Sequence, residues 1–264
     1  MPELPEVETV ARSIAPLVGR RILSAEFRCP RVLRGADPEQ MAAALAGRRI
    51  AAIRRYGKFL LLSLRGGGYL MIHLGMTGRL RLDGSLGKHT HAILTLDRGL
   101  LLYDDPRQFG CFQYCAEFPE RVARLGPEPL EISLEEFAAA MRGRKTGIKA
   151  LLLNQRFLRG LGNIYADEAL FRAGIHPLAA VARIRGERAR RLHTAIGTVL
   201  REAIEAGGSS ISDYVDAEGR KGFFQLRHRV YQRTGEPCVN CGTPIRRILV
   251  AQRSSHFCPK CQKR

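Results

Sequence analysis

A chain of 264 residues with 45% hydrophobic side chains is long enough to fill one large or two ordinary cores, which excludes disorder as the default. Forty-three Lys and Arg against 25 Asp and Glu give a formal net charge of +18, the footprint of a polyanionic partner, either nucleic acid or an acidic membrane surface. Residues 219–264 carry eleven of the basic side chains against the single acid Glu236, a local net of +10, so more than half of the excess sits in the last sixth of the chain. There is no apolar run of membrane-spanning length, and no basic flank leads into an apolar start. A protein of the cytoplasmic, nucleic-acid compartment is therefore expected, without membrane attachment. Seven cysteines, an odd number, fit a reducing interior better than a disulfide framework.

The first stretch, MPELPEVETVARSIAPLV, places a proline directly behind the initiator methionine. If Met1 is removed, Pro2 exposes an α-amine that titrates near neutrality, so a useful fraction is uncharged and nucleophilic. Glu3, Glu6 and Glu8 stand beside it as groups that could move protons. Leu4, Val7, Val10, Ile14 and Leu17 recur at spacings of three and four, which predicts an amphipathic helix starting near Pro5. The positive end of its dipole disfavours a charged amine. On these residues alone, an ordinary amphipathic helix with a solvated acidic first turn is the better explanation of the pattern.

RILSAEF (21–27) has strand chemistry, and DPEQMAAALAG (37–47) reads as a short helix with Asp37 as N-cap, Pro38 in its first turn and Gly47 as its stop. From Arg49 to about Ala116 the period changes to apolar strands joined by turn residues, which predicts an antiparallel β-sandwich packed with the first helix. FPERVARLGPEPLE reads as a hinge at 117–131. Beyond it, Ser133 and Glu136 form a capping box before LEEFAAAM, KTGIKALLLNQ makes the next helix, and GNIYADEALFRAG makes another that stops at Gly174. A longer helix over about 187–206 carries Leu192, Ile196, Val199, Leu200 and Ile204 as its buried stripe. The glycine-rich, aromatic stretch 207–224 is either a functional loop or a plain surface connection.

The strongest local signal is Cys238-x2-Cys241, then sixteen residues, then Cys258-x2-Cys261. Two such knuckles present four thiolates to one tetrahedral Zn2+, and the intervening GTPIRRILVAQRSSHF suits a β-hairpin. Four cysteines leave no open coordination position, so this zinc is expected to be structural, holding Arg253, and more weakly Arg246 and Arg247, towards a phosphate. Cys29, Cys111 and Cys115 lie outside ligand pairs and read as buried thiols. Exposed N–H groups at a helix start near Asn163 would form a phosphate site, to which the Asn163 amide adds a donor.

PELPEVETV, YGKFLLL, HLGMTG, DPRQFG, GLGNIYADEALFRAGIHP and the terminal cysteine knuckles together resemble, in order and across essentially the whole chain, the formamidopyrimidine-DNA glycosylase family of the bacterial MutM type. The resemblance implies an α+β protein. An N-terminal catalytic β-sandwich with its helix spans 1–116, a helix-two-turn-helix domain with a lesion-capping loop spans 132–230, and a four-cysteine zinc finger spans 231–264. It implies a monomer in the bacterial cytoplasm that clamps oxidised double-stranded DNA between two lobes. The implied reaction is excision of oxidised purines through a Schiff base, followed by β,δ-elimination.

Residue by residue, Pro2 matches the nucleophile attacking C1′, Glu3 the carboxylate that transfers a proton at the sugar ring oxygen, and Glu6 a second acid in the damage pocket. Lys58 matches a catalytic-site lysine on the lesion phosphate, and His73, Asn163 and Arg253 match phosphate ligands. Met76, Arg107 and Phe109 match the wedge that fills the hole left by the flipped nucleotide and hydrogen-bonds the orphaned base. The wedge pattern favours the formamidopyrimidine branch over endonuclease VIII-like enzymes for oxidised pyrimidines; a noncatalytic zinc protein that only binds DNA is the other alternative. Two positions depart from the family pattern: Asn154 stands where many members carry aspartate, and Gln232 replaces a glycine.

Overall fold

The computed structural model describes residues 1–210 and 215–264. The chain divides into two compact units, Met1–Arg124 with Ala206–Phe223, and Leu125–Glu205 with Phe224–Arg264. Each is taken by itself.

In the first unit, α1 (Leu4–Ser13) and α2 (Pro38–Leu45) accompany two antiparallel four-stranded sheets. One sheet has the order β1 (Ile22–Phe27), β6 (Thr90–Leu96), β7 (Leu100–Asp104), β5 (Arg79–Leu82). The other runs β2 (Ile50–Tyr56), β3 (Phe59–Leu64), β4 (Tyr69–His73), β8 (Cys111–Cys115). This is the expected sandwich. Period-two alternation sends Leu60, Leu62 and Leu64 of β3 into the same core as Ile22, Leu94 and Leu101 of the facing sheet, with Val7, Val10 and Ile14 of the first helix closing it. Phe112 on β8 bridges the layers, edge-on to Phe27 at 5.9 Å and to Tyr103 at 4.9 Å. The helix α2 begins as its sequence requires, with Asp37 Oδ1 accepting from Gln40 N at 2.8 Å. Strand β5, RLRL, alternates arginine and leucine over only four residues, too short a run to stand out by itself, and is completed by pairing with β7.

The segment Ala206–Phe223, read from sequence as part of the second domain, belongs to the first unit. Ser209 N donates to Glu6 Oε1 at 2.8 Å, Leu82 N to Ala217 O at 3.0 Å, and Ala217 N to Ser13 Oγ at 3.2 Å. Ala217 is buried in the sandwich core, and the Asp216 carboxylate closes the return by accepting from the backbone of Glu218 and Arg220. The part of the expected capping loop at 211–214 lies outside the described residues.

The second unit contains α4 (Leu134–Met141), α5 (Ile148–Leu153), α6 (Asn163–Ala173) and α7 (Glu187–Glu205), and ends in a hairpin of β9 (Arg246–Val250) and β10 (Arg253–Phe257). The short helix α3 (Glu120–Ala123) precedes the boundary, inside the stretch read as a hinge. Between α5 and α6 the two turns are braced by one side chain: Gln155 donates to Leu153 O and Leu161 O and accepts from Gly160 N. Gly174 ends α6 in the left-handed conformation at φ 69°. Gln232, the residue in place of a family glycine, keeps a glycine-like φ of 60° at a cost of about 1–2 kcal/mol. Asn154, the other departure, caps its own turn by accepting from Arg156 N at 2.9 Å.

Two consecutive acids of α6 hold the unit together. Asp167, fully buried, pairs with buried Lys149 at 2.7 Å and accepts from Ser255 Oγ and His256 N, both at 2.8 Å, fixing β10. Glu168 accepts from the backbone of Arg229, Val230 and Tyr231 at 2.9–3.0 Å. Asp167→Ala would strand the Lys149 charge and two hydrogen-bond donors. Denaturant unfolding of the zinc-loaded protein should show a loss of about 3–5 kcal/mol, whereas Asp167→Leu combined with Lys149→Met should recover much of it.

Candidate functional site

Five clusters of sequence-singled residues take shape, three in the first unit and two in the second. The first is the start of the chain. The helix α1 begins one residue earlier than its proline suggested, with Glu3 in an extended N-cap conformation. Pro2, Glu3 and Glu6 are buried, Glu3 at 4% and Glu6 at 2% exposure. Glu6 Oε2 accepts from Glu3 N at 2.8 Å, the return half of a capping box, while Oε1 takes the Ser209 N–H. One carboxylate thus fastens the first turn to a segment 203 residues away. Glu8 is placed otherwise. Burial raises its carboxyl, but the Arg55 and Arg12 guanidiniums at 2.8 and 2.9 Å more than offset this and hold it below the usual carboxylate range. That makes Glu8 a fixed anchor rather than a proton carrier, and its bond to Arg55 seats α1 on the β2–β3 ribbon.

The second cluster is at the end of that ribbon. Tyr56 and Phe59 pair, leaving Gly57 and Lys58 as a two-residue turn, and Gly57 at φ 58° supplies the positive φ that its first position demands. Lys58 is 8% exposed. His73, ending β4, lies against Phe59 with ring centroids 5.0 Å apart. Burial first, then the charges of Lys58 and Arg121, lower His73 to a pKa of about 4. The imidazole is therefore neutral at physiological pH. Its Nδ1 accepts from Gly75 N at 3.1 Å, which puts the ring proton on Nε2 as a donor.

Beside this patch the loops 74–78 and 105–110 interlock. A Cβ on Gly75 would stand 2.4 Å from Gly110 N, and one on Gly110 would stand 2.7 Å from His73 O, so only glycines allow the backbones to approach this closely. Asp105, fully buried, accepts from Thr77 Oγ1 at 2.6 Å, Tyr103 Oη at 3.0 Å and Gly110 N at 2.8 Å. Burial, and next the Asp105 charge, push the Tyr103 phenol far up, so it remains a donor. Carried on this frame, Met76 and Phe109 are 43% and 55% exposed, and the Arg107 guanidinium lies 4.7 Å over the Phe109 ring. Sequence reasoning singled out the exposed residues and missed Asp105, although it stands first in DPRQFG. Nothing in that motif distinguishes a positioning acid from a turn aspartate.

In the second unit, Asn163 opens α6 and donates through Nδ2 to Ser254 O at 2.9 Å, while its buried Oδ1 has no partner among the described residues. Lys149 Nζ donates to the same carbonyl at 2.9 Å. The helix start and the hairpin are thus one rigid piece, and Arg253, adjoining Ser254, is exposed beyond the tight turn at Ala251 and Gln252. Arg247 donates to Ser254 Oγ, and Arg246 is exposed. Cys238, Cys241, Cys258 and Cys261 bring their sulfurs within 4.8 Å of one another, two before the hairpin and two after it. Four thiolates at that spacing fit one tetrahedral Zn2+ with no vacant position, so the protein holds one structural zinc. The finger is also stitched to α6: Gln262 accepts from Cys258 N and donates to Ile175 O, both at 2.8 Å.

A sandwich headed by a buried proline, together with a helical unit closed by a four-cysteine finger, defines a modular zinc-finger protein. Family models described as the formamidopyrimidine-DNA glycosylase N-terminal domain, the H2TH domain of the same enzyme and a zinc finger found in FPG and IleRS match residues 1–112, 125–215 and 235–264. A formamidopyrimidine-DNA glycosylase of Solibacter usitatus is 74% identical over the full length of both chains. The crystal structure of the MutM (FPG) protein from Thermus thermophilus superposes with a TM-score of 0.89 at 45% identity, covering 99% of this chain and 98% of that one. A Lactococcus lactis FPG variant in complex with a Fapy-dG-containing DNA gives a TM-score of 0.91 at 37% identity, with both chains fully covered. The chain belongs to the formamidopyrimidine-DNA glycosylase family and is a DNA repair glycosylase. No helix among the described residues is long and apolar enough to cross a membrane.

The depressed pKa of His73 gives a direct check. A histidine that stays neutral in the native state while its unfolded counterpart protonates near 6.5 opposes folding as pH falls from about 6.5 to about 4. The imidazole resonances of His73 should therefore remain those of the neutral Nε2–H tautomer down to about pH 5. His73→Gln should flatten that part of the stability–pH profile, read by thermal unfolding across the same range.

Proposed function

We propose that the protein excises oxidised purines, 8-oxoguanine and formamidopyrimidines, from double-stranded DNA and then cleaves the strand through an imine on Pro2. The observation that carries this reading is the start of α1: a buried Pro2 and Glu3 held in place by the Glu6 carboxylate rather than left to fray. With Met1 removed, the Pro2 nitrogen attacks C1′, the C1′–N bond breaks and the base leaves with its electron pair. Glu3 delivers a proton to the ring oxygen as the sugar opens, and loss of the nitrogen proton gives the Schiff base. Abstraction of a C2′ proton then expels the 3′ phosphate, a second elimination expels the 5′ phosphate, and hydrolysis frees Pro2. Glu6 orients the first turn and contributes an acid to the damage pocket.

Lys58 holds the lesion phosphate as a point charge, and His73 donates to a phosphate through a neutral Nε2–H. Asn163 and the zinc-supported Arg253 grip phosphates from the second unit. Met76 fills the space vacated by the flipped nucleotide, Phe109 enters the stack, and Arg107 hydrogen-bonds the orphaned base. Unstacking costs a few kcal/mol, which these contacts offset.

The test is trapping with borohydride on lesion duplexes. Wild-type protein should form a covalent adduct with 8-oxoguanine paired to cytosine and excise it in preference to a hydroxylated pyrimidine. Pro2→Glu should abolish the adduct while leaving duplex affinity nearly intact, and Glu3→Gln should slow excision by about a hundredfold or more. Absence of any adduct would reduce the protein to a DNA binder, and a preference for the pyrimidine would move it to the other branch.

A further inference from the structure

A cavity of about 660 Å3 in the second unit takes no part in the chemistry above. Its floor is apolar: Met141, Val181, Ile184 and Ala189 are all buried and line it. Its rim is cationic, formed by Arg142, Arg144, Lys145 and Arg185, all exposed, and no acidic residue lines it. Among the described residues none of these four cations makes an ion pair. Two are instead braced by backbone, Arg144 Nε on Ala140 O at 3.2 Å and Arg185 Nε on Ala182 O at 2.9 Å, which sets their charges at the mouth.

The walls are preformed. The helix α4 ends at Met141 because Gly143 turns the chain at φ 73°, and the strand-like run 146–148 is bonded to 179–181 by Ile148 N to Ala179 O and Val181 N to Thr146 O. The turn at Gly186 then opens α7, which supplies Ala189. An apolar pit inside a ring of cations, with no acid in its lining, is complementary to a ligand carrying an apolar anchor among negative charges.

We propose that this cavity docks an acidic peptide segment of another protein, with one large apolar side chain seated on Met141 and Ile184 and flanking carboxylates paired to the four rim cations. A DNA backbone would satisfy the rim alone, since phosphates gain nothing from the four buried aliphatic side chains beneath it. The volume lies within the ordinary range of binding pockets and leaves room for several residues of a peptide around its apolar side chain.

The experiment is fluorescence anisotropy on the full-length, zinc-loaded protein with a labelled peptide, Asp-Glu-Asp-Leu-Phe-Asp-Glu. Two control peptides replace either its acids by Asn and Gln or its Leu-Phe pair by Ser-Ser. Both controls should bind at least about tenfold more weakly than the parent. Ala182→Trp, a substitution at an exposed position that blocks the mouth, and the pair Arg142→Glu with Arg144→Glu should each cost the parent peptide a similar factor. Excision of lesion DNA should be unchanged by these substitutions. Saturable binding that survives loss of the Leu-Phe pair would mean the rim attracts charge alone, and the proposal would fall. It would fall equally if no binding occurs, if Ala182→Trp has no effect, or if the rim substitutions weaken undamaged duplex binding and spare the peptide.

Discussion

A carboxylate buried at 2% exposure has to be satisfied, and Glu6 is satisfied by two backbone N–H groups, one three residues before it and one from Ser209. The requirement is reciprocal. The first turn of α1 keeps its position only while the 206–223 segment presents that donor, and the segment comes close enough only because residue 208 is a glycine. A Cβ there would stand 2.9 Å from Glu6 Oε1. Chain starts ordinarily fray. Here the start is part of the sandwich, and any chemistry assigned to Pro2 depends on that.

The same device organises the second unit. Asp167 and Glu168, adjacent on α6 and both fully buried, accept from the β10 hairpin strand and from the 229–231 loop respectively. Lys149 neutralises the first of them, and burial pushes the Glu168 carboxyl up against the backbone N–H bonds that lower it. Zinc closes the finger at one end and these acids hold it at the other, so Arg253 projects from a base fixed at two points. Asp105 does similar work for the loops 74–78 and 105–110. In each case a buried acid, rather than an exposed one, determines where an exposed side chain stands.

Local rules made much of this visible in the sequence. The Asp37 and Ser133 caps, the stop at Gly174, the leucine-rich strands and the cysteine spacing each act within a few residues, and the structure places them as expected. What escaped was set by partners far along the chain. Strand β5 has only four alternating residues and is completed by its pairing with β7, and the docking of 206–223 spans 203 residues through Glu6. Asp105, Lys149 and Asp167 look like ordinary charged residues until their surroundings are known. Glu8 was singled out as a proton mover by its neighbours in sequence, yet its neighbour in space, Arg55, fixes it as an anchor. The departure at Gln232 proved to be conformational: the backbone retained the turn and accepted the strain.

The central claim is that the nitrogen of Pro2 is the nucleophile, and Met1 offers the most direct test of it. Met1 precedes Pro2 in the chain, 45% exposed, and while it remains the Pro2 nitrogen is an amide with no lone pair to donate. Two preparations of the same sequence, one processed to begin at Pro2 and one retaining Met1, can be compared by intact mass after borohydride treatment with an abasic duplex. The processed protein should gain the mass of the trapped DNA fragment on its first residue, and the Met1-retaining protein should bind the duplex and gain nothing. An adduct of equal yield on both would contradict the account and place the nucleophile elsewhere in the chain.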